Sequence, residues 1–197
     1  MRRFSFRPRL WTLIYVVSGV ARFPAESCAA ELTRWAATRL SEAKAHMLHI
    51  AREGVRDLYI SGYVWHAPDG FTREDRGRLN AYAYGAGFGK RRIDANGRES
   101  LIYALVFSDS HYDPQPIAGY ARQWFTQPIA SSVSLGAGYT VALSTRSDGW
   151  YIPFPIILPL ATVRFSRFSL MTTGLPRIPG AVNIKGSVVF VWGRYEL

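Results

Sequence analysis

Between residues 132 and 144 the chain alternates without a break. Val133, Leu135, Ala137, Tyr139, Val141 and Leu143 stand between Ser132, Ser134, Gly136, Gly138, Thr140, Ala142 and Ser144. A period of two is a strand with two distinct faces, here one greasy and one nearly bare. In a soluble sandwich the face turned away from the core carries charge, and this one carries none. The pattern fits a transmembrane barrel whose apolar face meets lipid and whose small-residue face lines a roomy lumen.

The same period returns along the chain after residue 57 and predicts strands at 57–66, 79–91, 99–108, 116–126, 131–145, 150–164, 167–174 and 186–197. An even number of strands, each of about nine to eleven residues, is what an outer-membrane barrel requires. Long connections at 67–78, 109–115 and 175–185 alternate with tight ones at 94–98, 127–130 and 166, and only 146–149 is shorter than its side predicts. Tight turns belong in the periplasm in this class, so both chain ends are expected there. The expected fold is all-β: an eight-stranded antiparallel transmembrane barrel over 53–197, preceded by an N-terminal amphipathic helix at 31–52. In that helix Leu32, Trp35, Ala36, Leu40, Ala43, Met47 and Ile50 recur at steps of three and four. It either packs on the protein or lies in the membrane interface with Trp35 as anchor.

Ahead of the helix, Arg2, Arg3, Arg7 and Arg9 precede an apolar stretch at 10–21, and Ser27, Ala29 and Ala30 supply small residues for cleavage. This is the layout of a secretory signal peptide, expected over 1–30, and the stretch falls short of the roughly 20 apolar residues of a spanning helix. Its removal takes away the only cysteine, Cys28, together with five arginines and one glutamate, lowering the formal charge from +10 to +6. A basic exported chain meets acidic lipid rather than nucleic acid.

In the second strand Tyr82, Tyr84, Ala86 and Phe88 alternate with Ala81, Ala83, Gly85, Gly87 and Gly89. Glycine weakens a strand, so it either relieves crowding inside a narrow barrel or leaves a cavity where side chains would otherwise fill the lumen. The 99–108 strand is apolar on both faces, which makes the wall greasy and suits one hydrocarbon chain better than water. Gly85, Gly87 and Gly119 are the residues expected to line such an acyl pocket. Pro153, Pro155 and Pro159 are separated by even steps, so their missing amides face one neighbour, and that seam is expected to open as a side door for lipid.

Three polar residues meet at one rim. His66 ends the first strand on its way out, and Asp109 and Ser110 follow the third. A hydroxyl, an imidazole and a carboxylate are the parts that acyl transfer needs. Adjacent strand residues face opposite ways, so Asp109 and Ser110 can share the site only where the strand has ended. His46, His49, His66 and His111 are not grouped with carboxylates at ligand spacing, so neither a metal site nor a cofactor is expected.

The segments DLYISGYVWHA (57–67), YGAGFG (84–89), FSDS (107–110), PIAGYA (116–121) and YIPFPIILPLA (151–161) resemble the lipid A palmitoyltransferase family, PagP, in order, spacing and strand position. The resemblance implies an outer-membrane acyltransferase that moves a palmitoyl or slightly shorter chain from the sn-1 position of a glycerophospholipid to a hydroxyacyl chain of lipid A. It implies His66 as general base, Asp109 as its orienting charge and Ser110 as nucleophile or hydrogen-bond donor. It puts the pocket floor at Ala121, where the best-known members carry glycine, and lateral lipid access at Pro153, Phe154 and Pro155. Prolines that open a second seam in the family, between the first two strands, are Ser61 and Ala83 here, which removes the reason to expect that door. Arg73, Arg76 and Arg78 in the first outer loop, with Arg146, are expected to meet lipid A phosphates, and the molecule is expected to be a monomer. Two other readings compete: a non-enzymatic barrel for adhesion or envelope integrity, and a phospholipase with water as acceptor.

Overall fold

A computed structural model describes residues 25–129, 132–147, 150–177 and 186–197. The expected leader lies outside them except for 25–30, which are helical. The described elements are a helix α1 (Ala25–Glu53) and strands β1 (Val55–His66), β2 (Gly85–Ile93), β3 (Glu99–Ser108), β4 (Pro114–Phe125), β5 (Val133–Ser144), β6 (Phe154–Phe165), β7 (Phe168–Leu175) and β8 (Val188–Glu196), with a short helix α2 (Arg73–Arg78) between β1 and β2. Each strand pairs antiparallel with its chain neighbours, and β8 closes the barrel on β1.

Residues 44–197 form one compact unit, and α1 before residue 44 belongs to another. The helix starts earlier than its periodicity predicts, and its apolar residues Leu32, Trp35 and Leu40 are exposed. Its last turns are fixed in the barrel unit. Ile50 is fully buried, Gly54 N donates to Ile50 O at 2.8 Å, and Lys90 Nζ on β2 donates to Ala51 O at 2.5 Å.

Alternation along the strands sorts side chains as expected. On β5, Gly136, Thr140, Ala142 and Ser144 are buried, while Leu135, Tyr139, Val141 and Leu143 face out. The outward face of the barrel is apolar, with Ile60, Phe88, Val106, Ile157 and Val163 all exposed. Tyr63, Trp65, Tyr82, Tyr84 and Trp150 edge this belt at the end with the long connections, and Trp124, Phe165, Phe168 and Tyr195 edge it at the tight-turn end. An exposed apolar band between two aromatic girdles is the surface of a membrane barrel. Among the described residues no helix is long and apolar enough to cross a membrane.

The lumen differs from the roomy tube expected. At the tight-turn end it is filled by charge. Arg91 Nε donates to Asp57 Oδ1 at 3.0 Å and its other nitrogens reach Glu196 and Glu99. Arg194 donates to Glu99 Oε1 at 2.5 Å and to Ser169 Oγ at 3.0 Å, while Arg164 and Gln123 also donate to Glu99. Three carboxylates thus meet three guanidiniums, and pairing is what makes buried charge tolerable. Above this layer Tyr59, Leu101, Ala121, Leu160, Met171 and Trp192 pack together, with Tyr103 and Phe190 against them. They leave a cavity of about 10 Å³, hardly room for a water. Eight strands bring their walls close enough for side chains to meet across the axis, and here they do.

The glycines serve that closeness rather than a void. A Cβ on Gly87 would lie 2.2 Å from Ala104 O on β3, and one on Gly138 would lie 1.9 Å from Arg122 O on β4. Gly85 is confined in the same way against Val106 O, and Gly119 against Ala142. None of Gly85, Gly87 and Gly119 is among the residues lining the small cavity, so relief of crowding is their structural role.

Two strands start four or more residues later than their sequence pattern. β2 begins at Gly85 instead of 79, and β6 begins at Phe154 instead of 150, which leaves Pro153 just ahead of it. Part of the first long connection is helical because Thr72 and Asp75 form a reciprocal capping box at the start of α2.

Candidate active site

The inward row of β1 begins as Asp57, Tyr59 and Ser61, all at odd positions, so strict alternation would turn His66 out into the lipid. A bulge prevents this. Ser61 lies opposite Trp192 and Tyr63 opposite Val191, which makes Gly62 an extra residue in β1. Beyond it Val64 and His66 are buried, and Tyr63 and Trp65 are exposed. Re-aiming a side chain is what a bulge can do for a site.

Ser110 arrives from the other side. β3 stops at Ser108, and the turn that follows is organised by the Asp109 carboxylate. Its Oδ1 accepts from the N–H groups of His111 at 2.7 Å and Asp113 at 2.9 Å, and its Oδ2 accepts from the Ser147 hydroxyl at 3.4 Å. Aspartate commonly binds backbone two residues on in this way. The turn brings Ser110 Oγ to 2.9 Å from His66 Nε2, while Phe71 sets its ring edgewise to the imidazole with centroids 5.0 Å apart. The three expected residues therefore gather at one end, but the geometry corrects one detail. The Asp109 carboxylate is spent on its own turn and on Ser147, and the described contacts of His66 are with Ser110 and Phe71.

A cavity of about 440 Å³ opens over this pair. Arg78, Arg146 and His111 line it beside His66 and Ser110, whereas Arg73 and Arg76 are not among its lining residues. Arg78 also donates to Glu74 at 2.6 Å along α2. His111 was not singled out for the site by its pattern; its place directly after Ser110 is the signal that could have found it. The rim is tied by Asp69, which accepts from Ser187 N at 2.9 Å and Ser187 Oγ at 2.5 Å. Those two donors hold its carboxyl below the usual carboxylate range. The tie is therefore present above the ordinary carboxylate pKa and is lost only as pH falls through the depressed value.

Two gaps flank the site. β6 pairs with β5 over its whole length, but with β7 only from Leu160, opposite Thr173, downward. Residues 154–159 face that gap, and the Pro159 carbonyl accepts from the Thr173 hydroxyl at 2.6 Å in place of a ladder bond. Between β1 and β2 the ladder ends where Ser61 meets Gly85, and beyond it Val64 N donates to Ala81 O at 2.8 Å. This second opening exists without prolines at 61 and 83, contrary to what their absence led us to expect. The bulge at Gly62 and the late start of β2 open it instead.

Comparison with known proteins agrees with this architecture. The profile of the family described as "Antimicrobial peptide resistance and lipid A acylation protein PagP" matches residues 46–194. The chain is 42% identical over 141 residues to the lipid A acyltransferase PagP of Laribacter hongkongensis, covering 72% of this chain and 66% of that protein, just under two thirds. It is 40% identical over 148 residues to the lipid A acyltransferase PagP of Bordetella pertussis, covering 75% and 79%. It is also 38% identical over 141 residues to the lipid A palmitoyltransferase PagP of Escherichia coli O6:H1, covering 71% and 74%. With the closed eight-stranded barrel and the paired histidine and serine at its mouth, these matches show that the chain belongs to the PagP family of outer-membrane lipid A acyltransferases.

Proposed function

We propose that this chain takes an acyl group, palmitoyl or slightly shorter, from the sn-1 position of a glycerophospholipid and gives it to a hydroxyacyl chain of lipid A. One observation carries the assignment of its reacting centre: the 2.9 Å contact between His66 Nε2 and Ser110 Oγ inside a cavity flanked by two lateral gaps. His66 is the general base. It takes the proton of the attacking hydroxyl, that oxygen bonds to the ester carbonyl carbon, and the proton passes to the glycerol oxygen as its bond to the acyl carbon breaks. Ser110 Oγ stands where the attacking hydroxyl has to be, and Asp109 positions it by closing the turn. The gap at Pro155 and Phe154 admits one lipid. The acyl chain enters the lumen by parting the packed layer above Ala121, where Met171 is the most adaptable member.

The long-connection end faces outward under this reading. Arg78 and Arg146 line the mouth and meet the lipid A phosphates, with Arg73 and Arg76 in a peripheral role. The leader at 1–30 is removed on export, and the barrel works as a monomer without cofactor.

The test is lipid A mass analysis of cells expressing wild type, His66→Ala and Ser110→Ala. A gain of one fatty acyl group in wild type alone supports the assignment, and the same gain with His66→Ala refutes it. Purified protein supplied with phospholipid, with and without lipid A, separates the alternatives. A phospholipase releases free fatty acid in both cases, and a non-enzymatic barrel leaves both lipids intact.

A further inference from the structure

Residues 79–84 lie ahead of β2 and outside its regular ladders, joined to the neighbouring strands by Val64 N donating to Ala81 O at 2.8 Å and Ser108 N donating to Tyr84 O at 3.0 Å. One side chain adds to these bonds. Asn80 is 2% exposed, and its amide nitrogen donates to Ser108 Oγ at 3.0 Å and to the Asp109 carbonyl at 3.1 Å. Its amide oxygen accepts from Tyr82 N at 2.9 Å, and its backbone N–H donates to the Ser110 carbonyl at 2.9 Å. The backbone of both residues that carry the site on this side thus ends on Asn80. Among the bonds described for this turn, it supplies the ones that reach the Ser110 and Asp109 carbonyls from outside the 108–113 segment.

We propose that Asn80 is a positioning residue for acyl transfer: it pins the turn after β3 to the segment before β2, and so fixes Ser110 Oγ within hydrogen-bonding distance of His66 Nε2 at the edge of an open gap. This rests on the His66 and Ser110 assignment above. An open seam next to a reacting pair is a liability, because a displacement of about 1 Å can cost about a hundredfold in rate. The carboxamide is the group that suits the place. It offers donors to a hydroxyl and a carbonyl and an acceptor to an N–H, which neither a carboxylate nor a hydroxyl can match.

The test compares Asn80→Ala and Asn80→Asp with wild type and Ser110→Ala, all as full-chain protein in detergent micelles, using phospholipid and lipid A as substrates. Asn80→Ala is expected to keep the heat-resistant barrel and lose about ten- to a hundredfold in kcat with little change in KM. Asn80→Asp keeps the acceptor for Tyr82 N but, when ionised, cannot donate to Ser108 or Asp109. Its activity relative to wild type at the same pH should be as low as that of Asn80→Ala at neutral pH and rise as the pH falls and the carboxyl regains a donor. Taking the ratio at each pH cancels the titration of His66, His111 and Asp109 common to both proteins. A flat ratio, unchanged kcat, a loss confined to KM, or failure of both variants to form the barrel overturns the proposal. If Ser110→Ala itself retains transfer, the site assignment fails; if Ser110→Ala is inactive and Asn80→Ala is not, the role of Asn80 alone fails.

Discussion

Gly62 decides where His66 points. Were Gly62 paired as an ordinary strand residue, β1 would continue its odd-numbered inward row, and the imidazole would lie on the lipid side. Inserting one alanine between Val64 and Trp65 is therefore expected to leave a folded barrel, read by its resistance to heat in gel electrophoresis, and, by turning His66 to the lipid side, to reduce lipid A acylation to the level of His66→Ala. Ala121 decides something finer. It is the apolar residue on the inward row of β4 directly above Gln123, whose amide belongs to the charged layer. A hydrocarbon chain must stop there, because going further would displace paired charge. Ala121→Gly makes room for about one more methylene, worth about 0.8 kcal/mol in apolar surroundings. Its preferred donor should be longer by about one carbon in a competition among phospholipids of graded acyl length, and an identical preference would exclude the floor role. The three residue types at the mouth were legible because His66, Asp109 and Ser110 stand at the outer ends of two strands. The direction of His66 was not, since alternation alone gives the opposite face. A glycine inside a strand pattern was the available sign of a bulge.

At the scale of whole strands, the spacing of prolines in β6 was readable as an open seam because amides two apart face the same neighbour. The structure places the gap on the β7 side, and Pro155 and Pro159 leave the ladder to β5 intact. Each ladder bond restored there contributes about 1 kcal/mol. The double variant Pro155→Val, Pro159→Val should then lower acyl transfer about fivefold per bond regained, with a higher unfolding midpoint in urea; faster transfer would show that this gap is not an entry. The opening between β1 and β2 escaped sequence reading for a different reason. Residues 79–84 keep the alternation of a strand, yet they turn away to bond the end of β3, and a period of two does not say which neighbour a segment pairs with.

For the molecule as a whole, the barrel class was plain from length, strand number and the apolar outward rows, but the contents of its lumen were hidden. Asp57, Arg91, Glu99, Arg164, Arg194 and Glu196 come from five different strands, and each reads singly as a charge near a strand end. Only closure of β8 on β1 brings them across the axis from one another. Glu99 is the hub, because it receives Arg194, Arg164 and Gln123. Glu99→Gln should cost about 3–5 kcal/mol, the range for breaking a buried ion pair, seen as a lower urea midpoint. Loss of acylation in that variant should follow loss of the barrel and not precede it. The same lacing has an electrical meaning. A cylinder bridged by salt bridges at its tight-turn mouth offers no continuous wet path for ions, so a cell can hold two sideways openings in its outer envelope without short-circuiting the permeability barrier they interrupt.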